Sequence, residues 1–478
     1  MHFTVSTSLF SPPKTPRMFS SSSRPSVRIL ETSRISPPQG SVPPTSLPLT
    51  FFDVMWLSSP PTERLFFYPF PYSTSHLIDS ILPTLKSSLS ITLQSFYPLA
   101  GTLQRIPGSS DDFELCYFDG DSVALTVAEC VDGGFDIPAR SDARDISNLR
   151  PLLPTLPKLG DSCPLLAIQV TVFPSDGVVI GTALHHVACD GTSFTHFRHS
   201  WASACRSGGS ASERHIPIID RSLIPDPRGL YSIFKESLSR LMNLISRGSS
   251  QPATAAPADL LLATFTLTRA HIKMLKEVVL AKTDQKKPFH LSTFVVTFAY
   301  IWVGFVRLRE QLSPGRKRAH LSFGANFRDR IQPALPPAYF GNCVGSCFVE
   351  ADVGELVGGD GLKVASEAIG RAIEGLNVSL ESSQEWLTRF ASIMNEQPMG
   401  VAGSPKFGVY DVDFGWGRPA KVDIPSIANS DAISLAESRE DPGGVEIGFA
   451  LPKHEMGFLK NYLENGLKTL SEKETGFH

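Results

Sequence analysis

The sequence predicts an α/β or α+β protein of two domains, with mixed sheets and helices outside them. Three observations carry this prediction. The chain has 478 residues, which exceeds the size at which a single hydrophobic core stops growing. Runs with strand periodicity and runs with helix periodicity alternate through both halves. A stretch of small polar residues and prolines separates the two halves.

Strand-like runs dominate the first half. An alternating run begins at Val27 and ends at a Pro-Gly turn. From His76, apolar residues recur at helical spacing and stop at Pro98 and Gly101, which predicts a helix. Helix returns after Thr195. The strands predicted between these helices are FELCYF, VALTVAEC, LLAIQVTVF and GVVIGTALHH.

The second half repeats the alternation. It is read as strand LLLATFTLT, helix RAHIKMLKEVVLAK, helix LSTFVVTFAYIWVGFVRLREQL, strand RAHLSFGANF, helix GLKVASEAIGRAIEGL, and strands near FGVYDVDFGWG, DAISLAES and GVEIGFALP. The apolar run at residues 293–306 is shorter than the roughly 20 residues that a membrane span needs. We therefore expect a buried core helix there and no membrane partner.

Composition sets the domain boundaries. Between residues 206 and 257 the chain becomes small, polar and proline-rich. We place the crossover linker at 206–220, which gives an N-terminal domain at 26–205 and a C-terminal domain at 221–470.

The N-terminal tail, residues 1–25, is expected to stand outside both domains. The first 28 residues contain no Asp or Glu and many Ser and Pro, a composition typical of an organelle transit peptide. A disordered tail, or a start assigned too early with Met18 as the true start, are the favoured alternatives. We expect a cytoplasmic protein, or a plastid one if the tail is a transit peptide.

Charge and cysteine content exclude several classes of protein. The net charge is -3 and no block of like charge occurs, so neither nucleic acid nor an anionic membrane is expected as a partner. The seven cysteines are odd in number and lack zinc-site spacing, which indicates reduced thiols. Nothing signals an interface, and a monomer is expected.

The segment ALHHVACDGTSF, residues 183–194, carries the clearest chemistry. A neutral imidazole of His185 or His186 can remove a proton from a hydroxyl as its oxygen attacks a carbonyl. Asp190 either orients that ring or faces backward and pins the loop through an arginine. Gly191 allows a positive backbone torsion or the close approach of a ligand.

Other chemistries fit this segment less well. Adjacent histidines at a strand end point to opposite faces, so at most one joins Asp190 on a metal, and no metal site is predicted. A buried histidine paired with an aspartate in a core is a competing interpretation. There is no G-x-S-x-G elbow, no phosphate-binding loop, and no sign that Cys189 is activated. The base is therefore expected to serve direct transfer between two bound substrates.

Three further stretches hold candidate residues. DFGWG is expected to form a structural turn, YFGNC a loop held against another element, and NFRDR a source of arginines for Asp190 or an anionic ligand. Their residues are Asp413, Phe414, Gly415, Trp416 and Gly417 in the first, Tyr339 and Asn342 in the second, and Arg328 and Arg330 in the third.

On these motifs the sequence resembles the plant BAHD acyltransferases, a coenzyme A-dependent family with H-x-x-x-D and D-F-G-W-G motifs. Both stand intact here, as residues 186–190 and 413–417. The resemblance runs from about Val27 to Leu467 and includes SLPLTFFDVMWL, FYPLAG, DRSLIPDPRG, STFVVTFAYIW and GGVEIGFALPKHEM. YFGNC further resembles the branch that acylates glycosides of flavonoids, anthocyanins and simple phenols, often with malonyl groups.

The resemblance implies two chloramphenicol-acetyltransferase-like α/β domains with a solvent channel between them. A segment near residues 362–392 is a candidate to pack with the N-terminal domain. The resemblance makes His186 the general base and Asp190 a structural partner, paired with Arg328 or Arg330. The DFGWG motif would maintain the fold and the coenzyme A pocket.

The implied reaction is direct acyl transfer from acyl-CoA to a glycoside in a ternary complex, with no permanently bound cofactor. Many malonyl-using members carry an arginine four positions after the motif aspartate, where this chain has Phe194. Arg198 lies one helical turn later and is expected to substitute. Alternatively, Phe194 stacks on a hydroxycinnamoyl group. Malonyl-CoA is the favoured donor, and a non-catalytic ligand-binding relative is a further alternative.

Overall fold

The computed structural model describes residues 25–109, 111–208, 216–248, 259–283, 289–430 and 432–475. Residues 1–24 of the predicted tail and residues 209–215 of the predicted linker lie outside these ranges.

Within the described ranges the chain forms seventeen strands. They are β1 (Ser26–Ile35), β2 (Thr45–Pro48), β3 (Thr62–Pro69), β4 (Thr102–Arg105), β5 (Phe113–Tyr117), β6 (Val123–Asp132), β7 (Arg144–Asp145), β8 (Ser162–Pro164), β9 (Leu166–Phe173), β10 (Gly177–Leu184), β11 (Leu260–Leu267), β12 (Arg318–Asn326), β13 (Val344–Asp352), β14 (Gly400–Gly403), β15 (Lys421–Asp423), β16 (Ala432–Glu437) and β17 (Val445–Pro452).

The same ranges contain thirteen α-helices. They are α1 (Phe51–Val54), α2 (Thr74–His76), α3 (Leu82–Ser95), α4 (Asp136–Ala139), α5 (Gly191–Arg206), α6 (Leu230–Gly248), α7 (Arg269–Lys282), α8 (Thr293–Leu312), α9 (Val353–Val357), α10 (Gly361–Glu374), α11 (Leu376–Glu381), α12 (Trp386–Ile393) and α13 (Lys453–Thr475).

A six-stranded mixed sheet organises the first half, in the order β1-β6-β9-β10-β3-β15. Strands β6 and β9 are parallel, and the other neighbours are antiparallel. Every residue of β9 and β10 is buried, because continuous apolar runs form strands that are covered on both faces. The end of β10 leads directly into the His-Asp loop, residues 185–190.

The second half has a five-stranded sheet in the order β14-β16-β17-β11-β7, in which β14 and β16 are parallel. Strands β12 and β13 pair with each other, and β2-β5-β4-β8 form a further sheet. Several mixed sheets with helices against them confirm the predicted α/β class. The solvent channel stays a prediction.

The two halves exchange short strands. Strand β7 comes from the first half and pairs with β11 of the second, while β15 comes from the second half and pairs with β3 of the first. A buried ion pair, 3.0 Å between Arg144 Nη2 and Asp423 Oδ2, joins the two exchanged strands. The expected domain limits at 26–205 and 221–470 divide the chain by sequence position. In the fold, each half contributes one short strand to the sheet of the other.

Helix α8 is the core helix that the sequence predicts. Ser292 caps its N-terminus, with its side chain accepting from Val295 N, and thirteen of its residues are buried. It packs against α7, α9, α10 and α13. Among the described helices, none is long and apolar enough to cross a membrane.

One predicted element was wrong, and several were missed, among them the eight-residue strand β3 and the nine-residue strand β13. The segment FGVYDVDFGWG forms bends and a short 3₁₀ turn at Val409–Asp411 instead of a strand. Its glycines Gly408, Gly415 and Gly417 adopt positive φ, which breaks an extended run. Helices α6 and α13 were not anticipated. In the segment near 362–392, Trp386 lies 6.4 Å from Phe52 of α1, ring centre to ring centre.

Candidate active site

The two adjacent histidines have different environments. His185 is buried, and its backbone N–H donates to Leu165 O at 2.8 Å. Burial, with a smaller effect of His186, lowers the pKa of His185 to about 4. Successive side chains at a strand end point to opposite faces. His185 is therefore a neutral residue of the packed interior.

His186 is part-buried, and its imidazole stacks on Trp56 with 3.9 Å between ring centres and 18° between planes. Burial lowers the pKa of His186, and the opposing effects of its own backbone carbonyl and of Asp190 are smaller. The ring is therefore neutral at neutral pH, which is the state that a general base requires.

Asp190 caps helix α5, and its hydrogen bonds go to groups other than the His186 imidazole. Its Oδ1 accepts from Ser193 N at 3.0 Å and its Oδ2 from Cys343 N at 3.0 Å. Arg328 binds both oxygens, at 2.7 and 3.1 Å. Burial raises the pKa of Asp190, but Arg328 and the backbone donors outweigh it and lower the pKa. Of the two roles left open by the sequence, the geometry supports the one in which Asp190 pins the loop.

The neighbours of Asp190 also settle two local questions. Arg328 makes the ion pair, whereas Arg330 has an exposed guanidinium that donates to Asn326 O at 2.8 Å. A Cβ on Gly191 would lie 2.7 Å from Phe407 Cζ. The glycine therefore makes room for the Phe407 ring of the protein itself.

The YFGNC segment, residues 339–343, lies against the His-Asp loop. Tyr339 and Asn342 are buried, and the Asn342 amide nitrogen donates to His186 O at 2.9 Å and to Val187 O at 3.2 Å. The Tyr339 hydroxyl accepts from Arg221 Nη1 at 3.1 Å. Asn342 thus holds the loop directly, and Tyr339 contacts it through Arg221, which donates to Ala188 O.

Phe194 and Arg198 lie on the buried face of α5. Phe194 is 3% exposed, and the Arg198 guanidinium covers its ring at 3.8 Å from the ring centre. Arg64 on β3 is also buried. Among the described residues, Arg64 Nε and Nη1 and Arg198 Nε have no hydrogen-bond partner. The charge of Arg64 also acts on Arg198, so two buried guanidinium groups with unsatisfied donors influence each other.

Electrostatics reflect this crowding of positive charge. Burial first, and the charge of Arg64 second, lower the pKa of Arg198. Burial lowers the pKa of Arg64 to about 10, against a smaller opposing effect of Glu437. Buried charges are ordinarily paired, so an anion would stabilise either guanidinium group.

The DFGWG segment packs on the first half of the chain. Asp413 Oδ1 accepts from Gly415 N at 2.7 Å and from Gly417 N at 2.9 Å, which closes the turn. Phe414 lies 4.7 Å from Trp201, ring centre to ring centre. Trp416 packs on the rings of Tyr68 in β3 and of Phe70, which follows β3. These contacts fit a turn that ties the halves together.

Four residues around the site were not predicted from the sequence: Asp53, Trp56, Arg64 and Arg221. Asp53 and Trp56 stand in the quoted stretch SLPLTFFDVMWL and Arg221 in DRSLIPDPRG. A Thr50-x-x-Asp53 spacing signals a helix cap, but nothing in it signals contact with a loop far along the chain. In the described part of the chain, no three His, Cys, Asp or Glu side chains come together as candidate metal ligands.

A neutral histidine at the end of strand β10, in a fold of mixed sheets and helices, is the arrangement expected of an acyltransferase. A family model described as "Transferase family" matches residues 25–465. The chain belongs to this family, the BAHD acyltransferases.

Relatives extend over nearly the whole chain. Coumaroyl-CoA:anthocyanidin 3-O-glucoside-6''-O-coumaroyltransferase 1 of Arabidopsis thaliana is 38% identical, over 92% of this chain and 97% of its own. Phenolic glucoside malonyltransferase 2 of the same plant is 38% identical, over 92% and 99%. Malonyl-coenzyme A:anthocyanin 3-O-glucoside-6''-O-malonyltransferase of Dahlia pinnata is 35% identical, over 93% and 98%.

Solved structures share the fold. Vinorine synthase superposes with a TM-score of 0.67 at 20% identity, over 92% of this chain and 98% of its own. F. graminearum TRI101, complexed with coenzyme A and deoxynivalenol, superposes with a TM-score of 0.64 at 17% identity, over 87% and 97%.

Proposed function

We propose that this acyltransferase moves a malonyl group from coenzyme A to a sugar hydroxyl of a phenolic, flavonoid or anthocyanin glucoside. The main support for acyl transfer is the neutral imidazole of His186, which stacks on Trp56. The neighbouring carboxylate of Asp190 forms an ion pair with Arg328 instead of contacting this imidazole. That arrangement leaves His186 to act alone as a base. We also propose a cytoplasmic monomer.

The reaction follows from this base. His186 takes the proton of the sugar hydroxyl as its oxygen attacks the thioester carbonyl. The tetrahedral intermediate collapses, the carbon–sulfur bond breaks, and the imidazolium returns the proton to the leaving thiolate. Coenzyme A enters and leaves as part of a substrate. Asp190 positions the loop, and the DFGWG turn maintains the fold around the coenzyme A pocket.

The relatives support a glucoside acceptor, since their names specify anthocyanidin, anthocyanin and phenolic glucosides. They divide between coumaroyl and malonyl donors at similar identity. The names of the relatives therefore do not decide the acyl donor, which depends on this chain's own residues.

Two features of the described structure favour malonyl. The free malonyl carboxylate matches the unsatisfied guanidinium groups of Arg64 and Arg198. The Phe194 ring, which a hydroxycinnamoyl group would need as a stacking surface, is already covered by Arg198 and packed parallel to Phe197.

The test offers malonyl-CoA, acetyl-CoA and p-coumaroyl-CoA separately with a panel of phenolic glucosides, and follows thiol release and product mass. We expect malonyl transfer to lead. A charge-assisted hydrogen bond is worth about 1.5–3 kcal/mol, so Arg198→Met should lower kcat/KM for malonyl-CoA by about 10- to 100-fold. The acetyl-CoA rate should change little.

Arg240→Met is the matched control, because Arg240 is exposed on α6 and forms an ion pair with the exposed Glu236. It should leave both donors unchanged. Coumaroyl transfer without malonyl transfer would overturn the donor assignment, as would an equal loss of malonyl and acetyl transfer in Arg198→Met.

A further inference from the structure

We propose that residues 50–56 form a positioning element for His186, in which Asp53 holds the His-Asp loop through Asn342 and Trp56 fixes the imidazole. The proposal rests on the proposed role of His186 as the general base. It assigns a function to a short helix that stands far upstream of the loop in sequence.

Asp53 is a buried carboxylate with more partners than a helix cap needs. It is 0% exposed. Its Oδ2 accepts from Thr50 N at 2.8 Å, which completes the capping box of α1. Its Oδ1 is left free by the cap and accepts from the Asn342 amide nitrogen at 2.9 Å. The carboxylate therefore links α1 to the YFGNC segment.

Asn342 connects Asp53 to the backbone of His186, the proposed base. The same amide nitrogen that donates to Asp53 lies 2.9 Å from the backbone oxygen of His186 and 3.2 Å from that of Val187. These carbonyls belong to the base and to the residue that follows it. A shift of the Asn342 amide would move the backbone that carries the imidazole.

Arg221 balances the buried charge of Asp53 and adds a second link. Its Nε lies 3.6 Å from Asp53 Oδ2, and its Nη2 donates to Ala188 O at 3.0 Å. Its Nη1 donates to Phe340 O at 3.0 Å. A Cβ at Gly341 would collide with this guanidinium, so glycine is required there. Arg221 thus contacts both the His-Asp loop and the YFGNC segment.

Trp56 acts on the ring. It lies one turn after Asp53, and its backbone N–H donates to Asp53 O at 3.0 Å. Its indole stacks on the His186 imidazole at 3.9 Å. The stack covers one face of the imidazole, restricts its rotation and keeps water from that face, which favours the neutral ring.

The His-Asp loop is therefore held by two buried ion pairs. Asp190 and Arg328 fix its C-terminal end, and Asp53 and Arg221 fix its N-terminal end through Asn342 and Ala188. A misplacement of about 1 Å at a reacting group can cost about 100-fold in rate. The second pair is thus expected to matter for catalysis as well as for stability.

The test compares Asp53→Asn, Trp56→Ala and Trp56→Phe with the parent enzyme. Asp53→Asn should lower kcat by about 10- to 100-fold with little change in KM for the acyl-CoA. Trp56→Ala should raise the pH of the acid limb of kcat/KM by a few tenths to about one unit, because water regains access to the ring. Trp56→Phe keeps a stacking ring and should restore the parent profile.

Asp423→Asn is the matched control, since it weakens a buried ion pair that joins β7 and β15. It should lower the melting temperature without moving the acid limb. An unchanged kcat and acid limb in folded Asp53→Asn and Trp56→Ala would overturn the proposal, as would effects on melting alone, like those of Asp423→Asn. If Asp53→Asn fails to fold, the two Trp56 variants decide. Undiminished transfer by His186→Ala would instead remove the proposed function itself.

Discussion

The chemistry of His186 is set by its surroundings. His185 carries the same side chain one position earlier, but it lies in the packed interior, and its pKa falls to about 4. His186 stays part-exposed against Trp56, so its neutral imidazole can reach a substrate. The adjacent pair thus divides into a structural and a proposed catalytic residue.

The lowered pKa of His186 predicts the pH dependence of the reaction. A base must be neutral to accept a proton, and a folded-state pKa below the ordinary histidine value of about 6.5 keeps it neutral to lower pH. We expect the acid limb of kcat/KM to lie below pH 6.5, measured by thiol release across pH with malonyl-CoA. An acid limb above that pH would contradict the assigned environment.

At this scale the sequence indicated candidate residues but not how each is placed. The spacing from His186 to Asp190 allowed both an orienting and a pinning aspartate, because a four-residue turn places the carboxylate on either side. Arg328 and Arg330 were likewise equivalent in sequence, and burial distinguishes them. Trp56 could not be foreseen, since its contact depends on the packing of α1.

At the scale of elements, strong periodicity was a reliable guide. Helix α8 and the buried strands β9 and β10 follow directly from their apolar patterns. The longer segment FGVYDVDFGWG was expected to contain a strand, but positive-φ glycines interrupt it, and the hydrogen bonds of Asp413 close the turn that was expected for DFGWG. Strands β7 and β15 are too short for a periodic signal, yet they join the two halves.

The ion pair between these exchanged strands predicts a measurable stability effect. Asp423→Ala leaves the buried guanidinium of Arg144 without its carboxylate, and breaking a buried pair in this way costs about 3–5 kcal/mol. We expect a matching decrease in the free energy of unfolding in urea. Arg144→Met combined with Asp423→Leu should recover much of it. A loss of under about 1 kcal/mol in Asp423→Ala would show that the pair does not hold the strands together.

At the scale of the whole molecule, alternation of strands and helices over a long chain predicted the mixed α/β architecture correctly. The proposed donor contact depends on two side chains far apart in the sequence, Arg64 on β3 and Arg198 on α5, and sequence order does not reveal such pairs. The acceptor depends on loops whose shape no local pattern encodes.

The central claim is that His186 is the general base for direct acyl transfer. The decisive measurement is the rate of product formation from malonyl-CoA and a phenolic glucoside, by mass, for the parent enzyme and for His186→Ala with an unchanged melting profile. We predict a loss of about 100- to 10,000-fold. Transfer at the parent rate by the folded His186→Ala variant would contradict the account.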